Sequence, residues 1–368
     1  MIVPYNYLPM QFSNHEAILA DWEKLILSTE FTLGSYIENF EKQFAEFIGC
    51  KHVIGTNTGT DALILALKAL GVGPGDEVIS VPVTFYATIG AIVAVGARPV
   101  FVDIDDRYQI NVKLIPEAIT SKTKAILPVH WGGVPPDMDE IMNIANMHNI
   151  CVVEDACMAP GGSINNRHSG TFGHANAWSM HPLKPLNVMG DGGMVSTDDD
   201  DLAKWMRIYR NHGMVDRDHN SIWGVNMRLQ PLQAIVASHI LKTVDETVVA
   251  RNKNAKILDD GLKVLSPFVK IPPRPAGYRE TCSLYMARFQ KRDELIQYLT
   301  KRGIEAKIHY PVPLHLQEAA KELGYKKGDF QNSETYCNEI ITLPAHQFLS
   351  MEQLEYTIST IKNFYSKF

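Results

Sequence analysis

From about residue 50 to residue 200, short continuous apolar runs alternate with longer stretches of helical spacing. The runs at 52–56, 77–83, 99–104, 124–130, 151–155, 177–180 and 194–197 are too short for helices. Their apolar residues are continuous rather than alternating, which predicts strands covered on both faces. Helical spacing predicts helices over 60–70, 87–95, 137–148 and 200–210. Strand and helix in this alternation give an α/β fold, a mostly parallel central sheet flanked by helices. Two helices precede it, at 15–28 and 36–48, the second with Ile37, Phe40, Phe44 and Phe47 on one face.

The pattern changes after Pro231, where a long helical stretch runs to about Leu265 and leads away from the sheet. Pro272-Pro273-Arg274-Pro275 then marks a boundary. Beyond it the spacing predicts a strand at 282–289, a helix at 292–302 stopped by Gly303, a strand at 305–310 and a last helix at 351–365. We therefore expect a large domain over 1–265 and a small α+β domain over 266–368, with the N-terminal segment free to pack on the small one.

Composition narrows the classes of function. The 368 residues carry 35 Lys+Arg against 41 Asp+Glu, a net charge of −6, with no basic run that would track a phosphate backbone. Nucleic acid is not an expected partner. The five cysteines are odd in number, scattered and outside any C-x-x-C pair, so neither a disulfide framework nor a metal site is expected, and reduced thiols fit a cytoplasmic chain. The longest apolar stretch, 87–97, is too short to span a bilayer, and no membrane partner is expected.

Ligands of such sheets gather at the carboxyl ends of the strands, and chemistry-bearing residues fall there. Lys184 follows Ser179-Met-His-Pro-Leu and precedes Gly190-Asp-Gly-Gly193, while Glu154-Asp155 closes an apolar strand upstream. An amine that can form a Schiff base, a hydroxyl and glycines suited to phosphate, and a carboxylate suited to a pyridinium nitrogen together read as a pyridoxal 5'-phosphate site. Each piece alone has a plainer reading. Ser179 also reads as a turn serine, the glycines as a loop, Asp155 as a turn cap and Glu154 as structural. Gly59-Thr60 opens a helix whose N-terminus suits an anion, and also reads as an ordinary helix start with Asp61 in its first turn. Phe85, just past a strand end, reads as a ring that stacks on the cofactor or as core.

In combination these segments resemble the DegT/DnrJ/EryC1/StrS sugar aminotransferases of the fold type I pyridoxal phosphate enzymes. The resemblance runs through Phe31-Thr-Leu-Gly34, Gly59-Thr-Asp-Ala-Leu63, Thr84-Phe85 with Ala87-Thr88, Pro128-Val-His130, Val153-Glu-Asp-Ala156, Ser179 with His181-Pro182 and Lys184, Gly190-Asp-Gly-Gly193, Arg210-Asn-His-Gly213, Asn226 with Arg228, and His309-Tyr-Pro with Pro313-Leu-His315. It implies that Lys184 joins the cofactor, Asp155 binds the pyridine nitrogen, Phe85 covers a ring face, and Gly59, Thr60 and Ser179 hold the phosphate. Asn226 would reach the phosphate of a neighbouring subunit, which implies a homodimer with shared sites.

The resemblance also implies L-glutamate as amino donor and a keto or aldehydo sugar as acceptor. That sugar would be nucleotide-linked or an eight-carbon 3-deoxy-octulosonate type, for surface polysaccharide or lipopolysaccharide. Arg228, Arg210, His309 and His315 are candidates for carboxylate or sugar contacts, with bland surface or interface roles equally open, and His181 for help in proton transfer. Met158 stands where the family usually has a polar residue at the cofactor's phenolic oxygen; a thioether accepts weakly and cannot donate. A sister branch dehydrates sugars with histidine at the lysine position, so Lys184 favours transamination. A non-catalytic cofactor-binding regulator is the alternative from another class.

Overall fold

The computed structural model describes residues 1–368. Its centre is a seven-stranded sheet in the order Arg98–Phe101, Glu77–Ser80, Thr123–Ile126, Cys151–Val152, Asn176–Ser179, Gly193–Thr197 and His52–Thr56. The first four pair in parallel. Gly193–Thr197 runs antiparallel to both of its neighbours, so the sheet is mixed at that edge. Val78, Ile79, Ala125, Ile126, Val152 and Val153 have no exposed surface, because the helices Gly59–Ala69, Tyr86–Ala94 and Met138–His148 help cover the sheet. That burial on both faces is why these strands lack polar alternation.

The two halves of the sheet meet at Asp155, whose backbone bridges in parallel to Val129 on one side and Ala177 on the other. Its N–H donates to the Pro128 carbonyl at 2.9 Å and its carbonyl accepts from His130 N–H at 3.0 Å. A backbone fixed from both sides gives its side chain one direction. Next to it, Glu154 is fully buried and accepts from His130 Nε2 and from the N–H groups of Gly170, Phe172 and Gly173 at 2.6–2.8 Å. A buried carboxylate with four donors is a structural hub for the loop 170–173.

The long helical pattern after Pro231 is two helices, Pro231–Leu241 and Val244–Leu262, the second ending in a 3₁₀ turn. The later half of that second helix packs on an antiparallel sheet of Val269–Lys270, Tyr285–Phe289 and Ile340–Leu343, with Arg292–Thr300 and Met351–Tyr365 also on its core. Val3 belongs to this same core and bridges to Ile304. The strand expected at 305–310 is only an isolated bridge from Lys307 to Thr342. Sequence reading also missed the helix Gln331–Glu339 and the strand directly after it, because no turn residue separates them. Met351–Tyr365 opens on a capping box between Ser350 and Gln353, a signal the sequence did display.

Candidate active site

The carboxyl end of the sheet gathers Asp155, Ser179 and the turn before Gly59–Ala69. Asp155 is 5% exposed and its Oδ2 accepts from Thr88 Oγ1 at 2.8 Å. Thr88 Oγ1 also lies 2.8 Å from Thr84 Oγ1. Thr88 spends its one hydroxyl proton on Asp155, so Thr84 donates to Thr88. A hydrogen bond to a charged acceptor stabilises by about 1.5–3 kcal/mol. In the sequence the only signal for the Thr84–Thr88 contact is their four-residue spacing across a helix start.

Lys184 lies beyond Ser179 in a turn that contains Leu183 at a positive φ of 71°. Its backbone carbonyl accepts from Tyr7 Oη at 3.1 Å and Asn187 Nδ2 at 3.0 Å, which fixes the root of the side chain. Burial holds its ammonium below the usual lysine range, while Cys157 and Asp155 nearby pull the other way. A lowered amine is a better nucleophile and a better proton acceptor at neutral pH. Burial and the Asp155 charge push the Cys157 thiol well above its usual range, so it stays protonated beside that amine.

The helix Gly59–Ala69 presents its first N–H groups beside Ser179, with Thr58 Oγ1 capping the N–H of Asp61 at 2.9 Å. A Cβ on Gly59 would stand 2.6 Å from Ser179 Cβ, and one on Gly193 2.2 Å from the Thr58 carbonyl oxygen. Only glycine permits that approach. Asn57 Oδ1 is buried there without a partner. Helix N–H groups, a serine hydroxyl, a buried carboxylate and a lowered lysine amine form a donor set that fits pyridoxal phosphate.

Other sequence candidates fall around this centre unevenly. Phe85 is 51% exposed and belongs to an aromatic wall with Tyr86 and Tyr310, the latter also 5.6 Å from Trp131 by ring centroid. His309 is close enough to Lys184 for the lysine charge to act on it; burial first, then that charge, lowers it to about 4. Its Nδ1 lies 2.9 Å from Thr342 Oγ1. The Met158 side chain packs on the large core, and its carbonyl accepts from Thr281 and Ser283 hydroxyls at 2.7 Å. Asn226 and Arg228 lie on the segment beside Thr56 and Asn57, with Arg228 Nε on Asn226 Oδ1 at 3.0 Å and Nη1 on Asn211 Oδ1 at 3.0 Å.

Three further candidates make no side-chain hydrogen bond with Asp155 or Lys184. Arg210 is buried and donates to Glu41 Oε1 at 2.5 Å and the Gly55 carbonyl at 2.6 Å, so its charge is already matched. His315 has a fully buried side chain, with Nε2 3.1 Å from Glu334 Oε1 and its ring against Phe330. It is a packing residue of the segment 314–334 rather than a substrate contact, because a ring without accessible surface meets no substrate. The His181 ring is exposed, with Nδ1 2.9 Å from the Pro182 carbonyl oxygen. The structure does not bring it to Asp155.

His309 and His346 set an acid limit. Both are lowered to about 4, chiefly by burial, from the ordinary value near 6.5. Between those values the unfolded chain takes up protons that the native state refuses, so stability falls as pH falls from 6.5 through 4. The expected slope is at most about 1.4 kcal/mol per pH unit for each histidine. Thermal melts of coenzyme-free protein across that window should show it, and His346→Phe should flatten it; equal slopes in both proteins would contradict this account.

Comparison with known proteins agrees with this geometry. A protein of Geobacillus stearothermophilus named "Pleiotropic regulatory protein" is 39% identical over 94% of each chain. The dTDP-3-amino-3,4,6-trideoxy-alpha-D-glucose transaminase of Streptomyces venezuelae is 36% identical, covering 92% of this chain and 89% of the relative. Among solved structures, S. venezuelae DesV in complex with a ketimine intermediate superposes with a TM-score of 0.96 at 34% identity, over 99% of this chain and 98% of that one. NtdA of Bacillus subtilis with bound cofactor PMP gives 0.91 at 28%, over 98% and 85%. The sequence profile of one family matches residues 13–362. With the sheet, the lysine and the cradle in place, the chain belongs to the DegT/DnrJ/EryC1/StrS aminotransferase family and is a pyridoxal phosphate-dependent sugar aminotransferase.

Proposed function

We propose that this enzyme transfers the amino group of L-glutamate to a keto group on a nucleotide-linked sugar, in the biosynthesis of an amino sugar for a surface polysaccharide. The observation that carries the reaction is the partly buried Lys184, its amine lowered by burial against the opposing pull of Cys157 and Asp155, and its backbone carbonyl fixed by Tyr7 and Asn187. The cofactor supplies an electron sink for the donor α-carbon. Asp155, its carboxylate oriented by Thr88, would face the cofactor's ring nitrogen and favour its protonated form. Lys184 would hold the cofactor and, as an amine lowered by burial, would be the group that accepts and gives back a proton at the substrate carbon. Gly59, Thr60 and Ser179 anchor the phosphate, and the Phe85, Tyr86 and Tyr310 wall offers an apolar face to a sugar ring.

The relatives support position 3 of the sugar as the aminated carbon. One, 36% identical, is named a UDP-N-acetyl-3-dehydro-alpha-D-glucosamine 3-aminotransferase; another, 34% identical, a UDP-2-acetamido-2-deoxy-3-oxo-D-glucuronate aminotransferase. Nucleotide-linked 3-keto hexoses are thus favoured over the eight-carbon sugar acid. We also assign the enzyme a homodimer in which Asn226 serves the partner's phosphate. Exposed Trp223 and Val225 on the same segment support an interface there.

The test is 2-oxoglutarate release from L-glutamate by holoenzyme with UDP- and dTDP-linked 3-keto and 4-keto hexoses and an eight-carbon sugar acid. Release matched by a 3-amino nucleotide sugar is expected. The name of the Geobacillus relative favours a regulatory role beside this chemistry. Coenzyme colour without acceptor-dependent 2-oxoglutarate release would sink the choice of a nucleotide-linked keto sugar.

A further inference from the structure

Lys184 sits in no helix or strand, so side chains must hold its turn in place. Between His181 and Asn187 the turn has one backbone hydrogen bond, from Lys184 N–H to the His181 carbonyl at 3.2 Å, and it carries Leu183 at a φ of 71°. A leucine in that left-handed region persists only where its surroundings over-determine it. Here they are Tyr7 Oη, which donates to the Lys184 carbonyl at 3.1 Å, and Asn187 Nδ2, which donates to the same carbonyl at 3.0 Å and to Gln11 Oε1 at 3.2 Å. Both holds lead to the N-terminal segment.

That segment belongs at its other end to the small domain. Val3 N–H donates to the Gly303 carbonyl at 2.8 Å, and the Val3 carbonyl accepts from Glu305 N–H at 3.0 Å. Gln353 Nε2 donates to the Ile2 carbonyl at 2.9 Å, Tyr5 N–H donates to Glu305 Oε2 at 2.9 Å, and His346 Nε2 lies 3.0 Å from the Pro4 carbonyl oxygen. The Tyr5 ring stacks on His309, which itself meets Tyr310 of the aromatic wall edge-on. Tyr7, 3% exposed, packs against His346 and Phe348, with the Arg251 guanidinium 4.9 Å from its ring centre. Residues 2–5 are thus part of the small domain, while Tyr7 and Gln11 hold the lysine turn. Only Asn6 stands between the two sets.

We infer that Tyr7 is a positioning residue for Lys184, and that the N-terminal segment is a strap holding the small domain, with His309 and Tyr310, in one frame with the reacting amine. The inference rests on the reading of Lys184 as that amine and not on the choice of donor or acceptor. The Tyr7 hydroxyl touches no substrate and acts only through the lysine main chain. An amine that must meet a substrate carbon tolerates little displacement, since a misplacement of about 1 Å costs on the order of 10²-fold. Releasing the Lys184 carbonyl lets the turn relax and the amine lean toward water, where burial depresses it less. With Asp155, Cys157 and His309 unchanged around it, the amine then rises toward the ordinary lysine range.

The test compares the unaltered enzyme with Tyr7→Phe, which keeps the ring and loses the hydroxyl, and with a triglycine insertion between Tyr5 and Asn6, which keeps Tyr7 and slackens the strap. Three quantities are read: the single-turnover rate of holoenzyme with L-glutamate, the pH midpoint of Lys184 acylation in coenzyme-free protein by mass spectrometry, and hydrogen exchange along the full chain. Tyr7→Phe should lower the maximal rate about tenfold with half-saturating glutamate within about twofold. It should also raise the acylation midpoint by about half a pH unit or more and speed exchange at 181–190 but not in the strand Gly193–Thr197. The insertion should move all three in the same direction, the rate by at least about threefold. An unmoved midpoint and rate in Tyr7→Phe overturn the inference, as does a rate that falls only in step with melting temperature and with exchange throughout the chain, the mark of a merely structural role. An insertion that changes none of the three overturns the strap. Absence of a borohydride-fixed coenzyme on Lys184 in the unaltered enzyme would instead fell the reading of Lys184 itself, and failure to react with glutamate the choice of donor, since midpoint and exchange need neither.

Discussion

Replacing Lys184 with alanine is expected to lower turnover by about 10⁴-fold or more and to remove the coenzyme's visible band. Two functions are lost at once, the covalent tether and the base that moves the proton. No neighbouring group substitutes. Cys157 is held protonated, and the exposed His181 ring is bonded to Pro182. The fold should survive, because removing an amine that burial disfavours takes away a cost rather than a support. Absorbance, borohydride fixation and a single-turnover assay on the variant check this together. Retained turnover, or a borohydride-fixed adduct on another lysine, would remove Lys184 from the centre.

The second large effect is at Asp155. Asp155→Asn keeps the shape and can still accept from Thr88, but it carries no negative charge to hold a pyridine nitrogen protonated. A loss of about 10²–10⁴-fold in the donor half-reaction is expected, with coenzyme still bound through Lys184 and the cradle. Thr88→Val should cost less, about tenfold, because it removes only an orienting bond and leaves the charge. A rate for Asp155→Asn within threefold of the unaltered enzyme would sink the role given to this carboxylate. The order of the three variants matters as much as their sizes, since a purely structural role for Asp155 would make Thr88→Val and Asp155→Asn equally unstable.

The candidate site was legible where its parts are local. Lys184, Ser179 and the glycines at 190–193 lie within one turn-rich stretch, and Gly59-Thr60 marks a helix start by its own chemistry. Residues that act through distant partners were not. Thr88 meets Asp155 across 67 positions, and nothing in either segment announces the other. Tyr7 reaches the Lys184 carbonyl across 177, which no periodicity encodes. His315 stood out as a histidine in a matched motif, yet its neighbours Glu334 and Phe330 turn it inward.

By itself the sequence determined which segments become strands and helices in the large domain, because continuous apolar runs and helical spacing are short-range consequences of burial. It also determined the kind of chemistry, since an amine, a carboxylate and a glycine-rich anion cradle suit few cofactors. Tertiary structure alone decided which strands are neighbours, that Gly193–Thr197 runs against the rest, and that Asp155 joins the two halves of the sheet. It alone showed that Arg210 has an acid partner and Arg251 has none. The physical reason is that pairing and desolvation depend on what packs opposite a residue, and that partner comes from anywhere in the chain.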